Sequence, residues 1–144
     1  METKDFKYAA DKHYKICVFL FDKLDGRKWS NNREISSNVY YLSGYIVECL
    51  LKYHILKSKR LSKVSDEELA NLKLKSHCLS LLFNEIKDAT DIPRDLPGKL
   101  PQHYSKWGPN IRYERYKAHK DYVKDLRNQF DSFVKPLYTY ISKR

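Results

Sequence analysis

Arg112, Arg115 and His119 are the residues whose types and spacing best suit chemistry. A histidine titrates near neutral pH and can move a proton, while an arginine offers a rigid fork of donors to a phosphate. Metal-free cleavage of RNA needs that combination: a base near the 2′-hydroxyl, and cationic donors on the phosphate as charge develops. On a helix, Arg112 and His119 lie about 20° from one face and about 10.5 Å apart along the axis. Arg115 is four residues from His119 and is its nearer helical neighbour. The same residues also admit structural roles. Arg112 can pair with a carboxylate such as Glu48, and His119 can be an exposed residue of a first helical turn.

A second set is basic. Lys57, Lys59, Arg60 and Lys63 crowd into one short segment, which can lie on a phosphate backbone or form a solvated loop. Lys117 joins this set from a C-terminal third in which residues 99–144 hold eleven Lys and Arg against four Asp and Glu. Twelve tyrosines can stack on unpaired bases, although most sit where core edges are expected. His77 at the start of a helix reads as a buried or capping residue and His13, on an apolar stripe, as a satisfied core residue; His54 and His103 have no partner at a telling spacing. Cys17, Cys49 and Cys78 have no CxxC spacing, which predicts reduced, buried thiols and no zinc site. No Ser/His/Asp order, Gly-rich phosphate loop or HExxH is present. Neither a metal nor a cofactor is expected.

The elements that must position these residues are helical. Phe6, Ala10, His13, Cys17, Leu20 and Leu24 recur at steps of three and four, predicting a helix over residues 3–24 that stops near Gly26. Arg27 to Glu34 reads as a polar connection. Val39, Leu42, Ile46, Cys49, Tyr53 and Leu56 predict a helix over 37–58, widened by Tyr45, Leu50 and Leu51 and therefore central. Gly44 inside it is unfavourable by about 1 kcal/mol relative to Ala, so a neighbouring helix is expected to come close there. Glu48 and Lys52 form an i,i+4 pair. Ser65 and Glu68 make a capping box for a short helix. Leu79, Leu82, Phe83 and Ile86 face inward on a helix over 76–89. Thr90 to Pro109 reads as a long loop that is functional, mobile or hides a short helix. Val123, Leu126, Phe130, Phe133, Leu137 and Tyr140 define a last helix, kinked before Pro136.

These features predict an all-α bundle of four main helices, with a short extra helix and a long loop before the last one. The 144 residues fit a single domain, 1–144. The longest uncharged run, Ile35 to Val47, is too short and too polar to span a bilayer, and no secretory pattern opens the chain. A cytoplasmic protein without membrane contact is expected. The net charge of +10 favours a polyanionic partner such as RNA, DNA or a nucleotide. A merely basic soluble surface is the plainer alternative.

Three segments, in order, carry a family resemblance. Tyr41-Leu42-Ser43-Gly44-Tyr45-Ile46-Val47-Glu48-Cys49-Leu50-Leu51-Lys52 is similar to the small-Gly-x-x-x-Glu-x-x-Leu-Lys pattern on the second helix of HEPN domains. His77 followed by Leu79, Leu81, Leu82 and Phe83 resembles the start of their third helix. Trp107-Gly108-Pro109-Asn110-Ile111-Arg112-Tyr113 resembles the Trp-x-x-x-x-Arg-Tyr segment before the last helix of many bacterial members. The resemblance gives Gly44, Glu48, Lys52, His77, Trp107 and Tyr113 the standing of family-motif residues. It implies an up-and-down bundle of four or five helices, usually a homodimer. Some members are metal-independent RNases, often toxins or antiviral effectors, with an Arg-x(4–6)-His pair. Others bind RNA or a partner, sometimes beside a minimal nucleotidyltransferase acting as antitoxin. Arg112 and His119 match the longest permitted spacing. Catalytic members usually have Asn, Asp or His after the Arg, whereas Tyr113 stands here, as in the branch that keeps the Arg for structure. The expected function is thus a HEPN-like module binding RNA, a nucleotide or a protein partner through a basic face, within a toxin–antitoxin or antiviral setting. The alternative is an endoribonuclease using Arg112, Arg115 and His119.

Overall fold

The apolar steps of three and four translate directly into helices. The computed structural model describes residues 1–24, 33–87, 98–113 and 120–143. In chain order these residues form α1 (Thr3–Leu24), α2 (Arg33–Ser58), α3 (Asp66–Asn71), α4 (Leu79–Lys87) and α5 (Gln102–Ser105). A 3-10 helix (Pro109–Tyr113), α6 (Lys120–Gln129), a π turn (Phe130–Val134) and α7 (Lys135–Ser142) complete the order. Among the described residues the protein is all-α; the sole strand-like feature is an isolated bridge between Glu2 and Lys63.

α2 is the central element. It packs along α1 and also meets α4, the 3-10 helix, the π turn and α7. Ile46, Leu50, Leu51 and Leu56 are wholly buried, as the widened stripe predicts, and so is Val47, which lies outside that stripe. α2 begins at Arg33, four residues earlier than the sequence suggests. Ile35 packs against the core and Ser36 is buried, so the inward face extends one turn past Val39. On α1, Ala10, Cys17 and Phe21 are the most buried side chains, while Phe6 and Leu20 only flank them. The true seam is therefore rotated towards Phe21. His13 is not the satisfied core residue its position suggests. Its ring meets Tyr45 edge-on at 5.4 Å, and its buried Nδ1 has no hydrogen-bond partner among the described residues. Burial, and secondarily Lys12, holds its pKa below the usual range.

α4 buries Leu79, Leu82, Phe83 and Ile86, the four residues its spacing selects, although it starts at Leu79 and not at 76. The long connection contains α5, docked by hydrogen bonds to α2 and α6. The Tyr40 hydroxyl donates to the His103 carbonyl. The Tyr104 hydroxyl donates to Ser43 Oγ at 3.2 Å, and the His103 N–H donates to Gln129 Oε1 at 2.9 Å. Val123, Leu126, Phe130, Phe133 and Leu137 are buried as expected. The irregularity before Pro136 is a π turn: the Lys135 N–H donates to the Phe130 carbonyl, five residues back. Pro136 then sits in the first turn of α7, where its missing N–H costs least.

Two helix ends use the same stop. After α2, the Leu61 N–H donates to the Leu56 carbonyl and the Arg60 N–H to the Lys57 carbonyl, both at 3.0 Å. After α3, the Leu74 N–H donates to the Leu69 carbonyl at 2.8 Å and the Lys73 N–H to the Ala70 carbonyl at 3.0 Å. Both are Schellman motifs, which place one residue in the left-handed region and normally use glycine for it. Here Arg60 (φ 58°) and Lys73 (φ 59°) occupy those positions, each at a cost of about 1–2 kcal/mol for an L-residue. The capping box of Ser65 and Glu68 opens α3 as predicted.

Candidate anion-binding site

The Schellman turn at Arg60 sends residues 61–64 back past the start of α1. The Thr3 N–H donates to the Ser62 carbonyl at 2.9 Å, and the Val64 N–H to the Met1 carbonyl at 3.0 Å. The Thr3 hydroxyl donates to the Leu61 carbonyl. These bonds fix the first residues of the chain against the end of α2. Between them lies a cleft of about 520 Å³, lined by Tyr53, Lys57, Arg60 and Lys63 together with Glu2 and Lys4. That volume is within the range of small-ligand sites, roughly 300–1,000 Å³.

The cleft gathers four cations against one carboxylate. Lys4 pairs with Glu2 at 2.8 Å on the exposed rim, and this hydrogen bond and the charge of Glu2 raise the lysine's pKa. Lys57 Nζ lies 5.5 Å from the centre of the Tyr53 ring. A half-buried aromatic thus stands beside three cations that have no ion pair with a described residue: Lys57, Arg60 and Lys63. Beyond the Glu2–Lys63 bridge a second depression combines the carboxylates of Glu2 and Glu68 with Lys63 and Met1, so its charge is mixed, whereas the first cleft has four cations against one carboxylate.

Of the basic residues named from sequence, the structure brings Lys57, Arg60 and Lys63 to one cleft. Lys59 is exposed but does not line it, and Lys117 lies outside the described residues. Lys4 and Tyr53 were not indicated by the sequence. Lys4 arrives from the start of α1, distant in sequence although adjacent in space, and Tyr53 reads as a plain member of the α2 stripe.

The family-motif residues form two other clusters. A Cβ on Gly44 would meet the Trp107 indole at 2.2 Å. The close approach expected there is therefore made by an indole and not by a helix. The indole N–H donates to the Tyr41 carbonyl at 3.1 Å, and its ring stacks on Tyr41 with centroids 6.2 Å apart. One turn further along α2, the Glu48 carboxylate is buried. It accepts from His77 Nδ1–H and lies 3.6 Å from Lys52 Nζ. Lys52 is itself buried, with its ammonium 6.0 Å from the centre of the Phe6 ring. Of the two roles suggested for His77, buried or capping, the first does not hold: its side chain is 55% exposed, with Nδ1 against the buried Glu48.

Arg112 and Tyr113 end the 3-10 helix by their backbone; their side chains lie outside the described residues. Arg115 and His119 lie outside them entirely. Among the described residues, no three His, Cys, Asp or Glu side chains gather as metal ligands would. Cys17 and Cys49 are buried, and burial pushes both thiols up to about 12. Cys78, contrary to expectation, is exposed. A colourimetric thiol titration should thus count one fast-reacting cysteine in the native protein and three after denaturation. Substituting Cys78→Ser should abolish the fast phase, and a fast phase that persists would show Cys17 or Cys49 to be accessible.

Compared with protein-family models, with curated proteins and with solved structures, the chain matches none of them. No helix among the described residues is long and apolar enough to cross a membrane.

Proposed function

We propose that this protein is a HEPN-like helical module that binds single-stranded RNA through the basic cleft between the start of α1 and the end of α2. The observation that carries this reading is the convergence of Lys4, Lys57, Arg60 and Lys63 around Tyr53. Cations on a groove track a phosphate backbone, and an adjacent aromatic ring accepts a base by stacking. The net charge of +10 adds long-range attraction for the same partner. The order of α1, α2, α4 and the α6–α7 helix supports the four-helix, up-and-down arrangement of that family. A homodimer and a nucleotidyltransferase-type antitoxin partner belong to the same proposal through the sequence resemblance.

The reading predicts a salt-dependent affinity. Three to four neutralised phosphates on a single strand should weaken binding about 20–50-fold between about 50 and about 200 mM salt. Fluorescence anisotropy with a labelled single-stranded RNA measures this. Each of Lys57→Ala and Lys63→Ala should reduce the slope of log K against log salt by about 0.7. An unchanged slope in the double variant would remove the cleft from RNA binding. Running the recovered RNA on a gel, with EDTA present throughout, tests the nuclease reading. Strand scission lost on His119→Ala and Arg112→Ala would make the protein a metal-independent ribonuclease. Trp107, which leads into that region, docks at Tyr41 and Gly44. This level of α2 is about 20 Å from Lys57 at 1.5 Å per residue; RNA affinity retained in both variants would separate cleft binding from scission.

A further inference from the structure

We infer that Arg60 is the phosphate-gripping residue of the cleft, and that it keeps a left-handed backbone for that purpose. The inference rests on the cleft being an anion site, as proposed above. Two observations meet at this residue. Its φ of 58° places it where a Schellman motif ordinarily has glycine. Its side chain also lines the cationic cleft. A glycine would close α2 with less strain and leave no side chain in the cleft. An arginine there accepts the strain and presents a planar fork that matches two phosphate oxygens.

The competing role for Arg60 is electrostatic. Cations near a helix C-terminus interact favourably with its terminal carbonyls, and Lys57 and Lys59 are in position to do the same. The molecule contains its own comparison. Lys73 has the same left-handed backbone (φ 59°) in the same motif after α3, and it does not line the cleft. The two sites share the strain and differ in the ligand surface.

The test combines Arg60→Gly, Lys73→Gly and Arg60→Lys with thermal melting and with titration of two probes, a labelled single-stranded RNA and AMP. Both glycine variants should melt about 2–4 °C higher than the wild type, because the strain is relieved. Arg60→Gly should lose about tenfold in RNA affinity at about 100 mM salt, and Lys73→Gly should bind as the wild type does. Arg60→Lys should recover only part of the loss, since the fork is missing. Wild-type RNA affinity in Arg60→Gly would overturn the inference. Should the wild type bind AMP but not RNA, with AMP binding lost in Arg60→Gly, Arg60 keeps its phosphate role and the RNA reading falls. Binding of neither probe by the wild type would overturn both.

Discussion

Gly44→Ala is expected to destabilise the protein by about 2–4 kcal/mol, although the same change in an exposed helix stabilises by about 1 kcal/mol. The sign is decided by Trp107. A methyl at Gly44 would lie 2.2–2.3 Å from three atoms of the indole, far inside van der Waals contact. The indole cannot easily withdraw. It is 5% exposed, donates to the Tyr41 carbonyl and stacks on the Tyr41 ring. Its expulsion sets the upper bound, since removing a buried aromatic costs about 3–5 kcal/mol. The melting temperature should fall by roughly 6–15 °C. Trp107→Leu, destabilising alone, should cost clearly less in the Gly44→Ala background. A coupling of about 1 kcal/mol or more between the two sites is the expected reading of that cycle. Strict additivity would show that the helix moves instead of the indole.

Glu48→Ala is expected to cost about 3–5 kcal/mol in urea denaturation. Glu48 is 2% exposed and Lys52 6% exposed, so removal of the carboxylate strands an ammonium in the core. It also removes the acceptor of His77 Nδ1–H. The damage should come from the unpaired charge more than from the lost attraction. Replacing both partners in Glu48→Met/Lys52→Met should therefore recover most of the stability, because well-packed apolar pairs often match buried ion pairs. A cost below about 1 kcal/mol for Glu48→Ala would mean that Lys52 reaches water when released.

The helices and their inward faces were legible because each rests on local spacing. Leu79, Leu82, Phe83 and Ile86, or Leu126, Phe130, Phe133 and Leu137, declare a face within a dozen residues of one another. The capping box of Ser65 and Glu68 is local in the same way. Phe21 was missed because the apolar run Ile16 to Phe21 offers several phases, and only α2 selects one. The site was legible in part. Lys57, Arg60 and Lys63 stand close in sequence, but Lys4 joins them only through the bonds that tie Thr3 to Leu61 and Ser62. Gly44 announces a close approach without naming the visitor, since Trp107 arrives from another segment. His77 and Glu48 are likewise joined by tertiary packing and not by spacing. The left-handed backbone of Arg60 had no sequence signal, because arginine does not advertise it as glycine would.

The π turn at Phe130–Val134 has a consequence for insertions and deletions. A π turn holds about one residue more than an α turn, and an α-helix advances about 100° per residue. The turn therefore works as a frameshift in the helical register, stored where Phe130, Phe133 and Val134 are all buried. Deleting one residue between 130 and 134 would restore an ordinary helix while Leu137 and Ile141 stay inward, because the turn already takes up the extra residue. Elsewhere in α6 a single deletion would break the register outright. At this turn it would remove only the surplus residue, and Pro136 would have to find its place in an unbroken helix.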